Sequence, residues 1–140
     1  MILLDTNILI ASKQAGRLEY ESVTKRLAAL IENNEELIIC PQSIYEFYVV
    51  STRPENKNGF GMTCAQALAE IKDLHETYTF MNDPFDLFDN WHQLIQEYNT
   101  VAKPAHDCRL VAFMQAHKID RMYTLNHADF KRYNDIIKII

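Results

Sequence analysis

Four carboxylates stand where short apolar runs give way to polar sequence: Asp5 after MILL, Glu46 in SIYEFY, Asp107 in AHDCRL and Asp129 in TLNHADF. Asp5 carries the most information. Four apolar residues precede it and Thr6 and Asn7 follow before the apolar run resumes, so a buried strand would deliver a charge at its carboxyl end. If the four acids converge, each pair repels by roughly 1 kcal/mol at about 4 Å in water and about 4 kcal/mol at an effective dielectric of 20. One of them must then titrate abnormally high, unless a cation removes the conflict. A set of carboxylate oxygens without thiolate or imidazole favours Mg²⁺ or Mn²⁺ over Zn²⁺, and Mg²⁺ keeps several waters while binding one or two carboxylates plus substrate phosphate. The chemistry this points to is phosphodiester hydrolysis, with the metal activating water and stabilising the leaving oxygen.

Each acid also has a purely structural explanation. Asp5 could cap the next helical turn, Glu46 could face solvent, Asp107 could complement a helix dipole, and Asn126 with Asp129 has the spacing of a capping pair.

The elements that must position these residues are legible from periodicity. Strand-length apolar runs occur at ILLD, ELIIC (Glu36 to Cys40), MYTL (Met122 to Leu125) and IIKII. Between them lie helical patterns: Ser22 to Asn33, with a stripe of Val23, Leu27, Leu30 and Ile31, and a helix opened by Pro41 and stopped at Arg53-Pro54. A helix capped by Thr63 carries Ala67, Leu68, Ile71 and Leu74. Phe85 to Tyr98 places Leu87, Trp91, Leu94, Ile95 and Tyr98 on one face, and the helix opened by Pro104 turns Leu110, Val111 and Met114 inward. PENKNGFGM, holding two of the three glycines, reads as a flexible loop. This alternation predicts an α/β fold with a mostly parallel sheet of four to five strands flanked by helices. In such sheets ligand crevices form at the carboxyl edge, and all four acids leave that edge.

Bulk properties bound the reading. With 140 residues, 48% hydrophobic and 24% charged, the chain suits one domain over residues 1–140. MILLDTNILIA is too short and interrupted to span a bilayer or serve as a signal peptide, which predicts a cytoplasmic protein. Cys40, Cys64 and Cys108 are widely spaced and read as reduced packing residues, and the five histidines show no zinc-binding spacing. A net charge of −5 argues against a surface basic all over, but residues 101–140 hold seven Lys/Arg against four Asp/Glu, while residues 1–100 hold seven against fifteen.

LLDTN, SIYEFY, AHDCRLVAFMQAH and YTLNHADFKRY, in this order and spacing, resemble the PIN-domain ribonucleases, particularly the VapC-type toxins of bacterial toxin–antitoxin pairs. The resemblance covers nearly the whole chain, including RPENKNGFGMT. It implies a PIN-like fold and an Mg²⁺- or Mn²⁺-dependent endoribonuclease in which Asp5, Glu46 and Asp107 match the three core acids and Asp129 the more variable fourth. Asp5 and Asp107 would be inner-sphere ligands, with Glu46 and Asp129 binding directly or through water. Thr6, Asn7, Thr124 and Asn126 match the polar positions that orient carboxylates or waters. Arg53, Lys103, Arg109 and Lys131, with Lys57 and Arg132, could contact RNA phosphates while Tyr or Phe side chains stack on bases. Arg109, two residues from Asp107, projects away from it on the helix. The resemblance further implies a homodimer and a cognate antitoxin lying across the catalytic groove. Exposed apolar residues of the early helices and of Phe85 to Tyr98 would supply both surfaces. AKPAHD departs from the family by placing alanine and proline near a position where relatives often have glycine.

Two other classes compete. A haloacid-dehalogenase-like phosphatase would use Asp5 as nucleophile, but Asn7 occupies the position where D-x-D chemistry needs a second acid. A PIN-like module that binds RNA or a partner without catalysis would have no need of mutually repelling carboxylates.

Overall fold

The computed structural model describes residues 1–140. Three consecutive apolar residues, Ile2–Leu4, form the central strand β1, buried on both faces as a parallel strand must be. Helices α1 (Thr6–Lys13) and α2 (Tyr20–Glu32) lead to β2 (Leu37–Ile39), and α3 (Pro41–Thr52) and α4 (Cys64–Thr77) lead to β3 (Thr79–Phe80). Then come α5 (Leu87–Glu97), α6 (Pro104–Ala116), β4 (Arg121–Tyr123), the short α7 (His127–Phe130) and β5 (Lys138–Ile139). All four strand pairings are parallel and the order across the sheet is β3-β2-β1-β4-β5.

Period-two alternation divides the core. Ile2, Leu4, Leu37 and Ile39 face one cluster with α1 to α4, including Ile8, Leu27 and Phe47. Leu3, Ile38 and Met122 face the other with α5, α6 and α7, including Leu94, Phe113 and Phe130. The chain steps outward from β1 to β2 and β3, then returns to β4 on the other flank of β1. The connection therefore reverses at the β1/β4 boundary, where open parallel sheets form their crevice.

Several expectations need correction. The fourth strand ends at Tyr123, so Thr124 and Leu125 lie beyond it. The apolar runs do not reveal the two-residue β3, because Thr79 and Phe80 offer too little apolar sequence to stand out. The second apolar run is helix α1, and Asp5 is its N-cap. Ile31 and Leu68, counted in apolar stripes, are exposed, and so is Cys64, whereas Cys40 and Cys108 are buried free thiols. The glycine-containing loop is tied down: the amides of Phe60, Gly61 and Met62 donate to the carbonyls of Val50, Arg53 and Ser51, closing the carboxyl end of α3. Gly59 permits this return, since a Cβ there would fall 2.0 Å from the Arg53 carbonyl oxygen. No helix is long and apolar enough to cross a membrane.

Candidate active site at the carboxyl edge of the sheet

Asp5 leaves β1 at the reversal point. Its amide still donates to the Tyr123 carbonyl at 3.0 Å, so the backbone is held against β4 before α1 begins. The side chain is only 7% exposed and is surrounded by donors. Oδ1 accepts the Thr6 amide at 2.7 Å, while Oδ2 accepts Asn7 Nδ2 at 2.7 Å and the Thr124 hydroxyl at 2.5 Å. Asn7 Nδ2 also reaches Thr124 Oγ1 at 3.1 Å, and Asn7 Oδ1 accepts the Leu125 amide at 3.0 Å. Thr124 Oγ1 accepts the Asn126 amide at 3.0 Å. The segment after β4 is thus sewn to the segment after β1 through side chains. Asn126 enters by its backbone only, and its side chain makes no cap bond to α7.

Burial pushes the Asp5 carboxyl from its ordinary 3.8 up to about 6, against the pull of Thr124 and Thr6 and with a further rise from Glu46 and Asp107. The donors orient this carboxylate without compensating its desolvation.

Glu46, on α3, is half-buried, not solvated. Thr6 Oγ1 donates to its Oε2 at 2.8 Å and Gln42 Nε2 to its Oε1 at 3.0 Å. Gln42, unforeseen from the sequence, also donates to the His106 carbonyl at 3.0 Å and accepts from Arg109 at 3.1 Å, joining α3 to α6. The signal available was its i,i+4 spacing from Glu46. Asp107 lies in the first turn of α6 and its carboxyl is raised by burial, then by the charges of Asp129 and Glu46, with Lys103 and His106 opposing. No hydrogen bond is among those causes.

The acids feel one another, and three of them adjoin open hollows. Thr6, Glu46, Tyr45 and Arg53 line one of about 350 Å³. Asp107, Asp129, Lys131 and Arg132 line a second of about 410 Å³. Lys103 is exposed at the start of α6, and Arg109 is ion-paired with Asp83 at 2.6 Å. No three His, Cys, Asp or Glu side chains gather tightly enough to form a cage made of protein alone. The donors are oxygens, two of the acids are raised in pKa, and open space adjoins them. That set fits a hard divalent cation held by one or two carboxylates and otherwise by water and phosphate.

The family model for the PIN domain matches residues 2–136. A comparison with curated proteins gave no match. Among solved structures, a chain of VapBC2 from Rickettsia felis bound to a promoter DNA fragment is similar at a TM-score of 0.74 and 16% identity, covering 100% of this chain and 99% of that one. The sarcin-ricin loop cleaving toxin VapC20 of Mycobacterium tuberculosis gives 0.67 and 15%, covering 94% of each. A toxin–antitoxin complex from Klebsiella pneumoniae gives 0.65 and 23%, covering 100% and 96%.

Proposed function

Because the chain belongs to the PIN-domain family, we propose that it is a metal-dependent endoribonuclease, the toxin component of a toxin–antitoxin pair, formed by one domain over residues 1–140. The observation that carries this reading is the Asp5 carboxylate, buried at the sheet's reversal point, fixed by three donors and left at a raised pKa among other acids. Asp5 does cap α1 through the Thr6 amide, but a cap needs one oxygen at the surface, and here the second oxygen takes two further donors in a buried position among other acids.

Asp5 and Asp107 would hold Mg²⁺ or Mn²⁺ directly, with Glu46 and Asp129 binding directly or through water. When bound, the cation supplies a Lewis acid that lowers the pKa of water and neutralises charge on the phosphate. The chain's own residues do the positioning. Thr6 holds Glu46, and Asn7 and Thr124 hold the Asp5 oxygen that would otherwise rotate, with Asn126 supporting Thr124 through its amide. Arg53 on one side, and Lys103, Lys131 and Arg132 on the other, supply cations for phosphates flanking the cut, so an acidic protein can still bind RNA locally. Arg109 is committed to Asp83 and Gln42, which makes it a positioning residue.

The test is cleavage of single-stranded RNA in Mg²⁺, Mn²⁺ or EDTA by the native chain, Asp5→Asn and Asp107→Asn. Cleavage should need metal and both carboxylates; equal activity in all three proteins would reject the reading. Release of phosphate from a small phosphomonoester without RNA cleavage would point to the nucleophile mechanism instead.

The partners are an antitoxin and a second copy of the chain, in the cytoplasm. The VapBC structures are complexes of this fold, and Tyr45, Val49 and Leu68 expose apolar surface on α3 and α4. Light scattering should show a dimer alone and a larger complex with the partner; a monomer in both would refute this.

A further inference from the structure

A third recess opens on the same edge of the sheet. After β3 the chain runs through Asp83, Pro84 and Phe85 into α5, and with Phe88, Trp91 and Arg109 these residues line a hollow of about 430 Å³, within the size range of small-ligand sites. Its aromatic surface is open to an unusual degree: Phe85 is fully exposed and Phe88 is 68% exposed. The Phe88 ring stacks on His92 with centroids 6.1 Å apart and 7° between planes, and lies 5.9 Å from Trp91. Trp91 is fixed, because its indole N–H donates to the Ala105 carbonyl at 3.0 Å. The polar end is the Asp83–Arg109 ion pair.

This recess is connected to the acids. Arg109 donates to Gln42 and Gln42 donates to Glu46, so two side chains in series join the aromatic wall to the candidate active site. An exposed aromatic wall beside a phosphate-cleaving centre has the surface chemistry of a base-stacking platform. We propose that the cleft of Phe85, Phe88 and Trp91, closed by Asp83 and Arg109, binds one unpaired nucleobase of the RNA strand cut at the neighbouring acids. This deepens the nuclease reading and rests on it for the identity of the strand. The base stacks against the aromatic rings and turns its polar edge toward Asp83. A carboxylate acceptor there favours guanine, whose Watson–Crick edge presents N1–H and N2–H₂, over uracil.

Trp91 is the sole tryptophan and lines this cleft, so its fluorescence reports on binding here, and the Phe85→Ala/Phe88→Ala variant separates that signal from changes at α6. The experiment titrates the native chain, in EDTA to prevent cleavage, with a short oligouridine and with the same strand carrying one guanosine. Both Trp91 emission and the anisotropy of end-labelled RNA are followed. Quenching should track binding, the guanosine strand should bind more tightly, and Phe85→Ala/Phe88→Ala should weaken binding about tenfold or more. Both rings are exposed, so the variant should fold, and circular dichroism checks that. RNA that binds without changing Trp91 emission, or equally tightly to the double variant, would overturn the proposal. Equal affinity for the two strands would remove Asp83 from it. Loss of a dimer on sedimentation of the double variant, with RNA binding unchanged, would give the face to a second copy and also overturn it. Cleavage in Mg²⁺ is scored separately: quenching without cleavage defeats the nuclease reading but not the cleft, and cleavage without quenching does the reverse.

Discussion

The two ends of the acidic site are built differently. At the β1/β4 end, Asp5 is buried and accepts from Thr6, Asn7 and Thr124, so its oxygens are set before any ligand arrives. At the α6/α7 end, Asp107 is raised by burial and by its acidic neighbours without a hydrogen bond to orient it, and Asp129 is exposed beside it. Hydrogen bonds organise one end and leave the Asp107 carboxylate at the other unpartnered. The difference teaches that a cluster of like charges need not be uniformly rigid: the Asp5 carboxylate is fixed by donors and that of Asp107 is not.

Removing a carboxylate from either end should have the largest effect. Asp5→Asn and Asp107→Asn should each lower RNA cleavage at least ~100-fold, since even outer partners of a metal ligand are worth ~10–100-fold. Initial rates in Mg²⁺ test this, and an Asp107→Asn variant with native activity would leave Asp5 acting alone.

The cost of the organised end should appear in metal-free stability. The Asp5 pKa is higher in the folded chain, at about 6, than its ordinary 3.8, so its contribution to stability is fully present below the lower value and lost as pH rises through the higher one. The loss is on the order of 3 kcal/mol between about pH 4 and 7, and the raised Asp107 carboxyl adds a loss of the same sign. Urea unfolding in EDTA should show the native chain weakening with pH relative to Asp5→Asn; parallel curves would mean that Asp5 is not desolvated. Adding Mg²⁺ at neutral pH should raise the melting temperature of the native chain and not that of Asp5→Asn.

A subtler change separates orientation from charge. Thr124→Val removes the 2.5 Å hydroxyl donor to Asp5 and should reduce activity ~10-fold or more, with Thr124→Ser restoring most of it. Asn126→Ala should have the smallest effect, below about threefold, because Asn126 meets the network through its backbone amide. A loss as large as that of Thr124→Val would show that the Asn126 side chain acts in the reaction.

Much of this was legible in one dimension because apolar runs and helix punctuation are local. ILL had to be a buried strand, Pro41 and Pro104 had to open helices, and Thr63 caps its helix as expected, through a capping box with Gln66. What failed was non-local. The β3 strand is two residues whose pairing with Ile38 and Ile39 makes them a strand, and Ile31 and Leu68 sit on helical stripes wider than the surfaces that cover them. The glycine loop looked free because its backbone bonds go to a helix end that its own composition does not reveal.

Local sequence set most of the elements, most of their apolar faces, the delivery of Asp5 to the end of β1 and the place of Asp107 in the first turn of α6, because these follow from backbone geometry and periodicity within a few residues. Only the tertiary structure decided that Thr124, 119 positions from Asp5, would bond its carboxylate, and that Gln42 would tie Glu46 to α6. It also placed Glu46 on one hollow and Asp107 with Asp129 on another. Hydrogen-bond partners and desolvation depend on what lies a few ångströms away in space, and strand order, which brings those groups together, is written in no single stretch of the chain.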